Sequence, residues 1–117
     1  MPTREHIEAT GTRYVDAVGR QDLEGTMSVF AADAVQEDPV GTPPNVGREA
    51  IRAFFEGTYR GTFTTALTGP LLVTGDHAAV HFTIAVDTGG DPLLVRVIDL
   101  IRFDDAGLIA ELRAVVE

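Results

Sequence analysis

The sequence predicts an α+β fold in which three helices pack on a strongly curved, mixed but mostly antiparallel sheet. Two patterns support this prediction. Apolar residues recur at helical spacing in three segments of the first half of the chain, whereas from residue 63 onward they alternate with polar residues between glycine-containing turns. The chain has 117 residues, 44% of them apolar, which suits one hydrophobic core. We therefore expect a single domain over residues 1–117.

The three predicted helices occupy residues 3–19, 22–31 and 48–57. A threonine and an aspartate, both good capping residues, begin the first two. Tyr14 lies on the apolar stripe of the first helix, where a buried ring with its hydroxyl at the rim is the ordinary interpretation. Residues 34–41 follow the second helix and are extended in character, and Asp38 precedes a proline there.

The second half of the chain predicts strands joined by tight turns. They are expected over residues 64–68 and 71–74, the second continuing after a bulge or bend at 69–70, and over residues 77–87, 93–103 and 108–116. In the last strand, alternation places Leu108 and Ala110 on the same face as Leu112. Long strands with glycine bends, covered by helices that carry phenylalanine, can enclose an apolar pocket.

The strand over residues 93–103 carries one carboxylic acid in an apolar row. Asp99 shares its face with apolar neighbours, and Arg96 and Arg102 lie on the opposite face. A buried carboxylate must be paired, hydrogen-bonded or protonated, because burying the charge alone is costly. Since both arginines point away, we expect burial to raise the pKa of Asp99 and to keep it a neutral hydrogen-bond donor.

Tyr14, Asp38 and Asp99 are three polar groups in otherwise apolar rows, and the fold can bring them into one pocket. Taken alone, Tyr14 is more often a core residue and Asp38 more often a loop acid beside a turn. Together they suit proton transfer next to a carbonyl group. An ionised carboxylate removes a C–H proton, while a phenol and a neutral acid donate hydrogen bonds to the enolate oxygen. We expect Asp38, close to water, to be the ionised base.

Composition excludes several classes of function. The chain has no cysteine and no lysine, so thiol and Schiff-base chemistry are absent. His77 and His81 are four apart in a predicted strand, which is not the helical metal-binding spacing. The net charge of −9 argues against nucleic-acid and anionic-membrane partners. No export signal or membrane-spanning segment is visible, which favours the cytoplasm.

The motifs around these residues resemble those of one known family. The most specific match is the segment Glu37-Asp38-Pro39-Val40-Gly41. Further matches are Arg13-Tyr14-Val15, Asp22-Leu23, Phe30-Ala31, Ala50-Ile51-Arg52 with Phe54, Ile98-Asp99 and Arg102-Phe103. On these motifs the chain resembles the bacterial Δ5-3-ketosteroid isomerases (steroid Δ-isomerases) of the nuclear-transport-factor-2-like, or SnoaL-like, superfamily.

The resemblance implies a cone-shaped sheet with three helices, and an enzyme that uses no metal or cofactor. It implies that Asp38 moves a proton from C4 to C6 of a 3-oxo-Δ5-steroid, while Tyr14 and Asp99 hold the C3 oxygen of the dienolate. It also implies a homodimer formed through the outer face of the sheet. The steroid slot would be lined by Phe54, Phe82, Val86, Val97 and Val116.

The chain departs from the family pattern at several aromatic positions. Family members commonly carry a tyrosine that hydrogen-bonds to the tyrosine of the first helix, and here Phe55 takes its place. Phe30 stands where some relatives have a further tyrosine. Val86 and Val116 stand where relatives place phenylalanines, so we expect a wider or less aromatic pocket.

Two other kinds of protein fit such a pocket. One is a non-catalytic binding protein for apolar ligands such as steroids, which would have no need for a base at Asp38 combined with two donors. The other is a different SnoaL-like enzyme, such as a polyketide cyclase or an epoxide hydrolase. By resemblance, a cyclase would more often have a histidine near the base. An epoxide hydrolase would need an Asp-Arg-Asp set in the pocket, and no arginine faces inward by pattern.

Overall fold

The computed structural model describes all 117 residues. The helices are α1 (Arg4–Gly19), α2 (Leu23–Met27) and α3 (Arg48–Thr58). The strands are β1 (Phe30–Glu37), β2 (Asn45–Val46), β3 (Phe63–Leu67), β4 (Leu72–Thr74), β5 (His77–Val86), β6 (Leu93–Phe103) and β7 (Ile109–Val116). No helix has both the length and the apolar character that a membrane span requires.

The first two helices begin at side-chain caps. The Thr3 hydroxyl accepts a hydrogen bond from the backbone N–H of His6, and the Asp22 carboxylate accepts one from the backbone N–H of Gly25. Each cap satisfies an amide that has no partner within its helix. The start of α1 and its end at Gly19 agree with the prediction for the first helix.

The second helix is shorter than the sequence predicts. It ends at Met27, and β1 begins at Phe30, so the expected end near Ala31 is wrong. The Val29 carbonyl accepts a hydrogen bond of 2.7 Å from Ile109 N–H, and Phe30 is paired with Ile109 on β7. Phe30 fits the apolar stripe of a helix, but in the structure it belongs to β1. It is buried where β1 pairs with β7, the last strand of the chain.

The strands form one mixed sheet in the order β2-β1-β7-β6-β5-β3, with β4 also paired to β5. β1 and β7 are parallel, and the other pairs are antiparallel. The predicted segments 64–68 and 71–74 correspond to two separate strands, β3 and β4, which pair with opposite ends of β5. The sheet curls without closing and α1 and α3 pack against it, which confirms the predicted α+β class.

A bulge in β7 changes which side chains face inward. The pairing of β6 with β7 shifts so that Arg102 faces Glu111 but Phe103 faces Ile109, and Ala110 is the extra residue. Ile109 is fully buried as a result. The prediction that Ala110 shares a face with Leu112 is wrong, because simple alternation does not continue through a bulge. Leu108 precedes the strand and packs against the core.

The two faces of the sheet differ in exposure. On the inner face, Ile101 lies between Ala78 and Leu112 in one cross-strand row and is buried with them. On the outer face, Ile98 and Val115 form another row and are 39% and 49% exposed. The core therefore lies between the inner face and the helices, and the outer face presents apolar side chains to solvent.

Gly19 and Gly57 provide a matched test of how closely α1 packs on the sheet. A Cβ atom at Gly19 would lie 3.0 Å from the backbone nitrogen of Thr65 and closer still to its hydroxyl, which donates to the Val15 carbonyl. Gly57 in α3 has open space around its Cβ position. Gly19→Ala should lower the free energy of unfolding by about 1–3 kcal/mol. Gly57→Ala should raise it by about 0.5–1 kcal/mol.

Urea unfolding followed by circular dichroism measures both changes. The two substitutions have similar effects on the unfolded chain. The difference between their changes in the free energy of unfolding therefore reports the contact of α1 with β3. Equal stabilisation by both alanines would contradict the close approach of Gly19 to Thr65.

Candidate active site

One cavity between the helices and the inner face contains all three predicted polar residues. It is lined by Tyr14, Val18, Asp38, Phe54, Phe55, Thr58, Phe63, Phe82, Ile84, Val97, Asp99 and Val116. Nine of these are aliphatic or aromatic residues, counting Tyr14. A mostly apolar concavity with a few convergent polar groups is the usual form of a small-molecule site.

Tyr14 is held in the cavity by aromatic packing. It lies on the buried stripe of α1 and is 2% exposed. Its ring meets those of Phe30 and Phe55 edge-on, with centroids 5.9 and 6.4 Å apart. Burial raises the pKa of Tyr14 well above its usual value, and the nearby carboxyl groups of Asp99 and Asp38 raise it further. Tyr14 is therefore a neutral phenol, with a hydroxyl free to donate to a bound molecule.

Asp99 is the buried acid in the middle of β6. It is 2% exposed and lies between Val80 of β5 and Ala114 of β7, neither of which offers a side-chain partner. Arg96 is exposed on the outer face and pairs with Glu117 at 3.0 Å. Burial, and to a lesser extent the negative charge of Asp38, raise the pKa of Asp99 well above its usual value.

Asp38 immediately follows β1, and its position depends on the alternation of that strand. Glu37 accepts a hydrogen bond from Gly41 N–H at 2.8 Å and lies 3.5 Å from the Arg113 guanidinium. Asp38, the next residue, points into the cavity. Burial raises the pKa of Asp38 to about 6. We expected Asp38 to lie close to water, but the structure buries most of it. The raised pKa makes the ionised carboxylate a stronger base.

The cavity has a closed end and an open end. Asp99 is 2% exposed, whereas Val116, two strand positions beyond Ala114, is 41% exposed. On α3, Phe55 is buried and Thr58, near the end of the helix, is exposed. A molecule entering past Thr58 and Val116 would therefore meet the phenol of Tyr14 and the acid of Asp99 at the inner end.

The lining differs in part from the one predicted for the steroid slot. Phe54, Phe82, Val97 and Val116 line the cavity, but Val86 does not. Val86 lies at the end of β5, paired with both Phe63 and Leu93, beyond the stretch of strand that faces the cavity.

The sequence prediction omitted several lining residues. Ile84 occupies the cavity wall on the same face of β5 as Phe82, so strict alternation along that strand could have identified it. Val18 belongs to the apolar stripe of α1 and could have been found in the same way. Phe63 reaches the cavity through the pairing of β3 with β5, for which the sequence carries no local signal.

Neither a metal cluster nor an inward arginine is present. No group of three or more histidine, aspartate or glutamate side chains is close enough together to hold a metal ion. None of the nine arginines lines the cavity. The polar chemistry of the cavity is therefore that of two carboxyl groups, one phenol and the hydroxyl of Thr58.

Comparison with known proteins places this arrangement in a family. The sequence matches the model of the SnoaL-like domain over residues 12–112, which is most of its length. The chain belongs to the SnoaL-like family. Members of this family have the cone-shaped fold of three helices on a curved sheet, as predicted from the resemblance.

Two curated SnoaL-like relatives carry different names. "Steroid Delta-isomerase" of Nocardioides simplex is 35% identical over 108 residues, which are 92% of this chain and 87% of that protein. "Epoxide hydrolase LasB" of Streptomyces lasalocidi is 31% identical over 118 residues, covering 97% of this chain but 42% of that protein. The first relative confirms the resemblance to the steroid isomerases, and the second shows that the family is chemically diverse.

Proposed function

We propose that this SnoaL-like protein is a steroid Δ-isomerase, which moves the C5=C6 double bond of a 3-oxo-Δ5-steroid into conjugation with the C3 carbonyl. The observation that carries the proposal is the convergence of Tyr14, Asp38 and Asp99 on one apolar cavity. Similarity to the relative named "Steroid Delta-isomerase" supports the same assignment. The reaction needs one base and two neutral donors, which is the set that these residues supply.

Asp38 is the proposed base. It takes a proton from C4, and the electron pair of that C–H bond forms a C3=C4 double bond as the C3 carbonyl becomes an enolate oxygen. The C5=C6 electrons then take the proton back from Asp38 at C6. The carbonyl re-forms, and the remaining double bond lies between C4 and C5. A carboxyl group with a pKa of about 6 can both accept and return the proton near neutral pH.

Tyr14 and Asp99 are the proposed donors to the C3 oxygen. Both have pKa values raised by burial, so both keep the proton that the hydrogen bond requires. The negative charge on the oxygen develops as the dienolate forms, and donors already fixed at that point stabilise it without reorganisation. Each such donor typically contributes about 10²–10³ in rate.

The apolar lining supports a steroid as the class of substrate. Phe54, Phe82 and Val97 offer only apolar surface to a bound molecule, and the polar donors lie at the closed end. A flat apolar substrate would therefore enter with its oxygenated A ring first. The lining is less aromatic near the mouth, where Val116 stands, and this accommodates bulkier groups at the trailing end of the steroid.

Under this proposal the chain is one domain over residues 1–117 and acts as a homodimer without a metal or cofactor. The outer face of the sheet is the proposed dimer contact. Ile98, Leu100 and Val115 are each at least 39% exposed there, and burying them against a second copy would be favourable.

Three alternatives fit the cavity less well than the isomerase does. The relative named "Epoxide hydrolase LasB" makes epoxide hydrolysis a candidate. By resemblance, an epoxide hydrolase of this superfamily would want an Asp-Arg-Asp set in the pocket, and no arginine lines this cavity. A polyketide cyclase would want a histidine near the base, and no histidine lines it. A non-catalytic steroid-binding protein would need the apolar lining but not a carboxylate of raised pKa facing two neutral donors.

The direct test is the conversion of a 5-ene-3-ketosteroid to its conjugated 4-ene-3-ketone, followed by the gain of ultraviolet absorbance. Asp38→Asn should reduce kcat by at least about 10²-fold, because it removes the base. Asp33→Asn is the matched control, since Asp33 is an exposed carboxylate on β1, the strand that Asp38 follows. It should leave kcat unchanged within about twofold, as expected of a surface substitution.

The outcomes separate the candidate functions. Wild-type turnover no faster than that of Asp38→Asn would refute the isomerase. If both proteins then bound the steroid equally well, the binding-protein alternative would replace it.

The pH dependence of kcat/KM should report the proposed base. Asp38 must be ionised to accept the C4 proton, and its pKa of about 6 lies above the usual value. Activity should therefore be constant above about pH 7 and should fall about tenfold for each pH unit below about pH 6. Steady-state rates between pH 4.5 and 8 measure this profile, and a profile that stays flat down to pH 4.5 would contradict the assignment.

A further inference from the structure

Gln36, near the end of β1, carries a buried amide that lacks a partner. Its side chain is completely buried. The Oε1 atom accepts a hydrogen bond of 3.0 Å from Asn45 Nδ2 on the neighbouring strand β2. The Nε2 atom has no partner, and it is the only buried side-chain nitrogen or oxygen in the chain in that condition. An unpaired buried donor destabilises a fold, so a persistent one requires an explanation.

The position of Gln36 places this donor beside Asp38. Residues two apart on a strand point to the same face and are separated by about 7 Å along it. Glu37, between them, points to the outer face, where it lies 3.5 Å from the Arg113 guanidinium. Gln36 and Asp38 therefore project inward as neighbours, and a glutamine side chain is long enough to reach an adjacent carboxylate.

The other groups that face Asp38 do not include a cation. α1 presents the phenol of Tyr14 and β6 presents the acid of Asp99, whereas α3 and β7 present only Phe54, Phe55, Thr58 and Val116. In the proposed reaction both Tyr14 and Asp99 are engaged by the C3 oxygen of the substrate. The ionised form of Asp38 thus needs a further donor, and the Gln36 amide is the unpaired one on its own strand.

We propose that Gln36 is a positioning residue for the base, and that its free Nε2 group donates a hydrogen bond to the Asp38 carboxylate when that carboxylate is ionised. The bond would hold the carboxylate in one orientation toward the C4 and C6 positions of the substrate. It would also favour ionisation of Asp38, against the effect of burial. The Oε1 bond to Asn45 holds the amide and leaves Nε2 as its free donor. The catalytic role of Gln36 rests on the proposed function, but the hydrogen bond itself can be tested without measuring activity.

The side-chain amide region of a ¹H–¹⁵N NMR spectrum tests the hydrogen bond without any need for activity. The chain has two glutamines and one asparagine, so only Gln21, Gln36 and Asn45 contribute signals. The Gln36 NH₂ signals of the wild type should move as Asp38 ionises, and this movement should disappear in Asp38→Ala. Gln21, whose amide donates to the Phe63 carbonyl at 2.9 Å, is the internal reference. Gln36 signals that stay fixed between pH 4 and 8, or that still titrate in Asp38→Ala, would overturn the proposal.

The pH profile of isomerisation provides the second arm. Gln36→Met keeps the length of the side chain but removes the donor, and the midpoint of kcat/KM should rise by about one pH unit. Thr10→Val is the control for removal of a buried polar group elsewhere, since Thr10 is buried in α1 and contacts His6. It should leave the midpoint unchanged. A purely structural Gln36 would alter thermal stability in Gln36→Met without moving the midpoint, and that result would overturn the proposal.

The two arms separate this inference from the proposed function. If the wild type shows no isomerisation but Gln36 titrates with Asp38, the hydrogen bond stands and the proposed function fails. If isomerisation is present but the Gln36 signals do not follow Asp38, the proposed function stands and the role of Gln36 is wrong. If Gln36→Met does not fold, the wild-type titration decides alone.

Discussion

The burial of Asp99 is the constraint on which the site depends. A carboxyl group enclosed by Val97, Ile101, Val80 and Ala114 has no cation or side-chain donor to stabilise a negative charge. The neutral acid is therefore the form that this environment favours. Because Asp99 is neutral, the closed end of the cavity offers hydrogen-bond donors and no negative charge. It can therefore accommodate a ligand oxygen that accepts hydrogen bonds.

The sheet maintains this burial through its register. β6 is paired along its length with β5 on one side and is paired with β7 on the other, so Asp99 cannot turn outward without a shift of both pairings. A slip by one residue would expose Asp99 and bury Ile98 or Leu100 in its place. The same register places the small, buried side chain of Ala114 directly beside Asp99.

Asp38 and Tyr14 approach the same space from other elements. Asp38 follows the strand that runs parallel to β7, and Tyr14 projects from the helix that packs on β3. Phe30 and Phe55 contact the Tyr14 ring edge-on, so aromatic packing orients the phenol. In this chain the Tyr14 hydroxyl keeps its full capacity to donate to a ligand.

Local patterns were sufficient for part of this site and insufficient for the rest. The residue type of Thr3 was enough to predict the cap of α1. Helical and strand periodicity in short segments was enough to predict that Tyr14 and Asp99 face inward. The end of α2 could not be predicted in the same way, because Phe30 belongs to a strand only when Ile109 pairs with it. The bulge at Ala110 and the free amide of Gln36 likewise depend on register between strands, for which the sequence has no local signal.

Isotope-edited infrared spectroscopy at pH 8 tests the central claim, that Asp99 is a neutral acid in the folded protein, most directly. At this pH a group with a pKa of about 6, such as Asp38, is almost fully ionised. The difference spectrum of ¹³C-aspartate-labelled wild type and Asp99→Asn should contain the C=O stretch of a protonated carboxylic acid. A difference spectrum that contains only carboxylate bands would show that Asp99 is charged and would contradict its proposed role as a donor.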